Sequence, residues 1–261
     1  MKSNTNTHQT QPAPSIGRGS PHRRYSVTSG GRTLVTAGAG LWVSALMAIR
    51  LRHSRTPSLA DLRFSALLGS PRIPAKLSQY ELGVLWSKSA MRFVAGLGGP
   101  TALVAAMGIV GILAWQRRDV VLGCLTVVGP VSAGLMTEWV GKPLVDRRID
   151  GVHTSFPSGH VTTAAAIASL LWVSWRRRHR LSSLPVAVYS VWILPAAVGI
   201  AVVRLRWHVA TDVLGGISVG CGIVFLVYAV FVRLENSRAN RPRRIPPIGD
   251  KGMKNVTPCL L

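Results

Sequence analysis

The sequence predicts an all-α polytopic membrane protein, a bundle of about six transmembrane helices. Three observations predict it. The 261 residues are 48% hydrophobic and only 15% charged, where soluble domains carry about 25% charge. Apolar runs near the roughly 20 residues needed to cross a bilayer recur along the chain. The 31 Lys and Arg residues stand against 9 acids, a formal charge of +22, and they gather at the ends of those runs. The same features exclude other classes. The apolar content excludes disorder for the bulk of the chain. Cys124, Cys221 and Cys259 are too few and too scattered for a disulfide scaffold. A nucleic-acid binder would thread its basic residues through amphipathic helices, so nucleic acid is not an expected partner.

Residues 1–32 are rich in Ser, Thr, Pro, Gly and Gln and read as a disordered cytoplasmic tail without a secretory signal. The first and weakest span is Thr33–Leu51. Arg50 to Arg92 is long and basic, and Leu59–Leu68 within it can lie along the membrane surface. Five clearer spans follow: Phe93–Trp115, Val120–Val140, His160–Trp175 with its flanks, Leu184–Val203 and Ala210–Val232. Residues 236–261 read as a second disordered, basic tail, which leaves 33–235 as the membrane-embedded domain with its core at 90–235. Arg117 and Arg118, the Arg176–Arg180 cluster and both tails fall on one side, which the positive-inside bias makes the cytoplasm. Trp115, Trp139, Trp175 and Trp207 sit at span ends, where amphipathic rings prefer the interface.

Two outward-facing segments carry polar groups with specific spacing. In the second, His208 and Asp212 are four residues apart at a helix start, which stacks them on one face. Asp212 is the only acid between Asp150 and Glu235. A carboxylate that fixes one imidazole nitrogen leaves the other as a nucleophile or base; an acid favouring the helix dipole beside a chance His is the plainer alternative. In the first segment, Pro157-Ser158-Gly159-His160 opens a helix. Ser158 or Gly159 is a natural cap, the free N–H groups there bind anions, and His160 in the first turn can serve as an acid. Lys142, Arg147 and Arg148 add cations on the same outer side, against the positive-inside bias. Glu138, one turn before Lys142, can pair with it. The set is a phosphate site, and nothing in it makes a metal cage.

These residues resemble the PAP2 superfamily, the type-2 phosphatidic acid phosphatases and their bacterial relatives. The family pattern is Lys, six residues, Arg-Pro; then Pro-Ser-Gly-His; then Ser-Arg, five residues, His, three residues, Asp. The resemblance covers roughly residues 90–235. Pro157 to His160, His208, Asp212 and Lys142 match, and Arg147 fits an additional arginine often found two residues before the main one. Where Arg-Pro is expected stand Ile149 and Asp150, and where Ser-Arg is expected stand Ala201 and Val202. Arg148 is one residue early, and Arg204 and Arg206 are two and four residues late. The expectation is that Arg148 and Arg206 compensate, joined by Arg147 and Arg204.

The resemblance implies metal-independent, cofactor-free hydrolysis of a lipid phosphate monoester or pyrophosphate at the extracytoplasmic face of a bacterial plasma membrane. His208 would be the nucleophile, Asp212 its orienting carboxylate and His160 the acid and then the base. Lys142, Arg147, Arg148, Ser158, Gly159, Arg204 and Arg206 would bind phosphate. Phosphatidic acid, phosphatidylglycerol phosphate and polyprenyl phosphates or pyrophosphates are the candidate substrates. The displaced arginines keep open a catalytically silent relative that binds lipid phosphate or a partner. A transporter would place ionisable groups mid-span, and here they sit at span ends.

Overall fold

The computed structural model describes residues 27–68, 88–149, 154–179 and 186–240. The expected tails beyond them, 1–26 and 241–261, lie outside the described residues, as does 69–87 of the long basic segment. In order, the helices are α1 (Val27–Leu51), α2 (Leu59–Leu67), α3 (Lys88–Gly96), α4 (Pro100–Gln116), α5 (Val120–Leu135), a π-helical turn (Met136–Gly141), α6 (Lys142–Val145), α7 (Gly159–Arg178), α8 (Val186–Tyr189), α9 (Ile193–Arg204) and α10 (Ala210–Ala239). The architecture is all-α and membrane-spanning, as the sequence predicts.

The number of spans is a correction. Among the described residues, three helical segments are long and apolar enough to cross a bilayer: Thr33–Leu51, Val120–Val145 and Ala210–Ala239. A fourth forms if α3 and α4, bent by 43° at their junction, count as one. This falls short of six for two physical reasons. Over the expected span Leu184–Val203, the apolar helix is only Ser190–Arg204, a rise of about 22 Å against a hydrocarbon core of about 30 Å. The expected span over His160–Trp175 becomes α7, which is polar because it is enclosed by protein. Ser169 Oγ donates to the Ala165 carbonyl at 2.8 Å, and Thr162 Oγ1 to the Ser158 carbonyl at 2.9 Å. Its buried face includes Val161, Ala164, Ala165, Ala168, Leu170 and Val173.

α10 is the mast of the bundle, with α1, α5 and α7 packed against it. One core joins Val110 and Ala114 of α4, Leu122 and Leu125 of α5, Leu170 and Val173 of α7, and Val224 and Phe225 of α10. A second joins Met91 and Ala95 of α3, Val161 and Ala164 of α7, and Val198, Ala201 and Val202 of α9. α1 turns Val35, Trp42 and Ile49 outward, each about two-thirds exposed or more, which suits a face against lipid. Glycines let α7 and α10 touch backbone to backbone. A methyl group at Gly220 would meet the Thr162 carbonyl at 2.5 Å, and one at Gly216 would meet the Ser158 carbonyl at 2.8 Å. The Gly216 and Gly220 spacing is the small-xxx-small arrangement that brings membrane helices close.

One end of this helix pair is locked by ions. Arg177, near the end of α7, donates Nε and Nη2 to the two carboxylate oxygens of Asp119 at 2.7 and 2.8 Å, and its Nη2 is 3.4 Å from Glu235 of α10. Asp119 also caps α5 by accepting from the Leu122 amide at 3.0 Å. One member of the basic cluster at the end of α7 is therefore directed inward. The candidate site lies at the other end of α7.

Candidate active site

The start of α10 needs help from elsewhere in the chain. The first amides of a helix have no partners within it, and the N-cap is Val209, whose side chain has no acceptor. Asp212, at the third helical position, accepts from the Val209 amide at 3.2 Å. The remaining partner comes from α2. Asp61 Oδ1 accepts from the Thr211 amide at 2.8 Å, and its Oδ2 accepts from Thr211 Oγ1 at 3.1 Å. Asp61 also closes the capping box of its own helix, accepting from the Ser58 amide at 3.0 Å and Ser58 Oγ at 2.9 Å. The carboxylate is 1% exposed. Burial pushes its pKa upward, but the bonds from Thr211 and Ser58 together outweigh burial and hold it below the ordinary aspartate value.

Arg147 fills the space between Asp61 and Asp212. Its Nη1 donates to Asp212 Oδ1 at 2.7 Å and to Thr211 Oγ1 at 2.6 Å, and its Nη2 donates to Asp61 Oδ2 at 3.0 Å. All three ionic side chains are fully buried. Above this group, His208 Nδ1 lies 3.5 Å from Asp212 Oδ2. That is an ion-pair distance, and Nδ1 makes no directed hydrogen bond there.

His208 opens onto a cavity of about 710 Å³ whose wall also contains His160, Lys142, Glu138, Gly159, Arg206 and Trp207. The His160 and Trp207 rings stand 5.5 Å apart, centroid to centroid. The floor is the start of α7. Ser158 is its N-cap, but the Ser158 hydroxyl is buried without a hydrogen-bond partner, so this helix start is not satisfied by its own cap. Gly98, Gly99 and Pro100 at the α3–α4 break form another part of the wall.

Lys142 leaves the π-helical turn facing the cavity, and Glu138 grips it with both carboxylate oxygens at 2.7 Å. A π turn of this kind is frequent at functional sites. The Glu138 carboxylate also reaches the start of α7, where a methyl group at Gly159 would stand 3.1 Å from its Oε1.

Arg206 occupies a backbone position that glycine usually takes. α9 ends in a Schellman motif, in which the Trp207 amide bonds the Val202 carbonyl at 3.0 Å and the Arg206 amide bonds the Val203 carbonyl at 2.9 Å. Arg206 is the left-handed residue of that motif, with φ 61°, and it lies on the cavity wall.

The structure thus gathers His160, His208, Lys142, Gly159 and Arg206 around one cavity, with Ser158 and Asp212 buried just behind. The side chains of the other three arginines expected as phosphate ligands do not line this cavity. Arg147 is consumed by two buried carboxylates. Arg148 donates Nε to Asp146 Oδ1 at 2.8 Å with its side chain half exposed, and that bond holds the Asp146 carboxyl below its usual range. Arg204 donates to the Leu68 carbonyl at 2.8 Å. Val202, at the register where the resemblance expects an arginine, is fully buried in the core. Sequence reasoning missed Asp61 and gave Glu138 only a pairing role. Asp61 is the sole acid in the expected surface segment Leu59–Leu68, and that was the available signal.

The comparisons agree with this geometry. The PAP2 superfamily profile matches residues 124–235, which hold Lys142, the start of α7 and the start of α10. The chain is 29% identical over 165 residues to the phosphatidylglycerophosphatase B of Bacillus subtilis strain 168, covering 59% of this chain and 79% of that protein. It is also similar in fold to the crystal structure of a transmembrane PAP2-type phosphatidylglycerolphosphate phosphatase from Bacillus subtilis, with a TM-score of 0.57 at 24% identity, covering 80% of this chain and 99% of that one. With both histidines on one cavity and the profile match running from within α5 into α10, the chain has a PAP2 superfamily membrane-phosphatase-like fold.

Proposed function

We propose that the protein hydrolyses a lipid phosphate monoester or pyrophosphate through a phosphohistidine. The observation that carries this reading is the pair His160 and His208 on one cavity, with Asp212 buried behind His208. His208 Nε2 forms the N–P bond as the P–O bond to the leaving group breaks. His160 gives its proton to the departing alkoxide or phosphate. A water then attacks phosphorus, His160 takes the water's proton, and inorganic phosphate leaves. Asp212 faces Nδ1, so it stabilises the charge that the imidazole acquires. Lys142, Arg206, the Ser158 hydroxyl and the backbone at Gly159 supply the positive field that the phosphoryl oxygens require. Phosphatidic acid, phosphatidylglycerol phosphate and polyprenyl phosphates fit this chemistry equally. The low count of acidic residues at the cavity motivates a reaction without a metal, and the basic bias of Arg117–Arg118, the Arg176–Arg180 cluster and both tails supports a site on the extracytoplasmic side.

The second reading is a binding protein without turnover, favoured by the three arginines turned away from the cavity. The test is phosphate release by the detergent-solubilised full chain, with EDTA present, from diacyl, lyso and polyprenyl phosphates. Release that disappears in His208→Ala supports the phosphohistidine route. No release from any of them by folded protein selects the binding reading. Loss with EDTA and recovery with metal would overturn the metal-free route.

A further inference from the structure

Two carboxylates and one guanidinium are buried together behind His208, and their charges do not cancel. Asp61 and Asp212 contribute two negative charges against one positive charge on Arg147. The cluster therefore carries one net negative charge, and the oxygen of Asp212 that Arg147 does not hold faces the imidazole. Without Asp61, Arg147 would neutralise Asp212, and His208 would face a net neutral pair. Asp61 comes from α2, a helix outside the membrane-spanning segments and some 150 residues away in sequence from Thr211, which it also caps. Neither its burial nor its bonds to Ser58, Arg147 and Thr211 are needed to keep a surface helix on a bilayer.

We infer that Asp61 is a positioning residue for His208. It neutralises Arg147, so the charge of Asp212 stays available to the imidazole. This rests on the reading of His208 as the nucleophile. As the N–P bond forms, the imidazole becomes cationic, and a net negative, fully buried cluster behind it stabilises that charge. The other charged and titratable groups on the cavity are His160 from α7, Lys142 after the π turn, Glu138 within it and Arg206 on the turn before His208. All of them stay constant when Asp61 or Arg147 is changed.

The test uses the full-length chain in detergent with 13C-labelled histidine, read by NMR titration. The sequence has 7 histidines, and His208→Gln assigns the signal. Asp61→Asn should lower the His208 pKa by about one unit, a tenfold loss of proton affinity. Arg147→Gln should raise it by a similar amount, because two carboxylates then stand unopposed. The double variant should return it close to wild type. Turnover should follow the same order, with kcat in Asp61→Asn down about tenfold and KM nearly unchanged. A role limited to anchoring α2 predicts instead that the double variant is worse than either single one and that the two singles shift His208 alike. An unshifted His208 in either single variant that folds overturns the inference. Full phosphate release by His208→Gln would overturn the phosphohistidine reading, and the titrations would still report the charge coupling.

Discussion

The backbone carbonyl of Ser158 lies so close to Gly216 that a methyl group there would stand 2.8 Å from it. The helix start that faces the cavity and the helix that carries Asp212 are thereby in direct backbone contact. That contact helps to set the separation of His160 from His208.

Gly216→Ala should therefore act on both fold and site. Overpacking of this kind costs about 1–3 kcal/mol. Thermal unfolding in detergent should show the loss, and phosphate release should fall further than the loss of folded protein explains. Gly108→Ala, off the cavity and where an added methyl group meets nothing within 4 Å, should leave phosphate release unchanged and stability no lower.

Arg206 holds a left-handed position that suits glycine. Arg206→Gly should raise stability by about 1 kcal/mol while weakening the affinity for phosphate. Unfolding midpoints alongside inhibition by orthovanadate would show the opposite movements. Loss of both would mean that Arg206 braces the turn through its side chain.

Glu138 is a carboxylate in a cavity proposed to take a phosphate dianion, and it occupies Lys142. Glu138→Gln should tighten inhibition by inorganic phosphate two- to fivefold, the range expected for releasing a partly exposed ion pair. Weaker inhibition would show instead that Glu138 is needed to aim Lys142.

Asp61 gives a pH signature for the fold. Its folded pKa is depressed, so the ionised form is favoured by folding. The stability it contributes is fully present above the ordinary aspartate value near 3.9 and is lost as pH falls through the lower folded pKa. As pH falls below about 4, wild type should lose more thermal stability than Asp61→Asn. Parallel curves would place the acid sensitivity elsewhere.

The helical class and the two histidine-bearing segments were legible in the sequence because they depend on local signals. The spacing of His208 and Asp212 brings them together, although His208 lies just before α10 rather than on it, and Pro157 to His160 announce a helix start. The span count was not legible for α7, because its enclosure by α10, α5 and α9 frees it from the need to be apolar. Nor was the fate of the arginines. Their positions in the chain gave reach, but the partner of Arg147 is an aspartate some 86 residues earlier. The trans cap on α10 was hidden for the same reason. Val209 shows that a cap is missing there, but nothing local says which segment supplies it.

The π-helical turn at Met136–Gly141 amounts to one surplus residue within a membrane helix. Each residue turns a helix by about 100°, so this surplus sets which side Lys142 and everything after it will face. A single-codon deletion within 136–141 would regularise the helix and swing Lys142 away from the cavity. The same rotation would carry Arg147 out from between Asp61 and Asp212. Substitutions in this stretch change one side chain each, whereas a change in its length would disarm the site and undo the buried cluster in one event. The length of the segment is thus under tighter constraint than its composition.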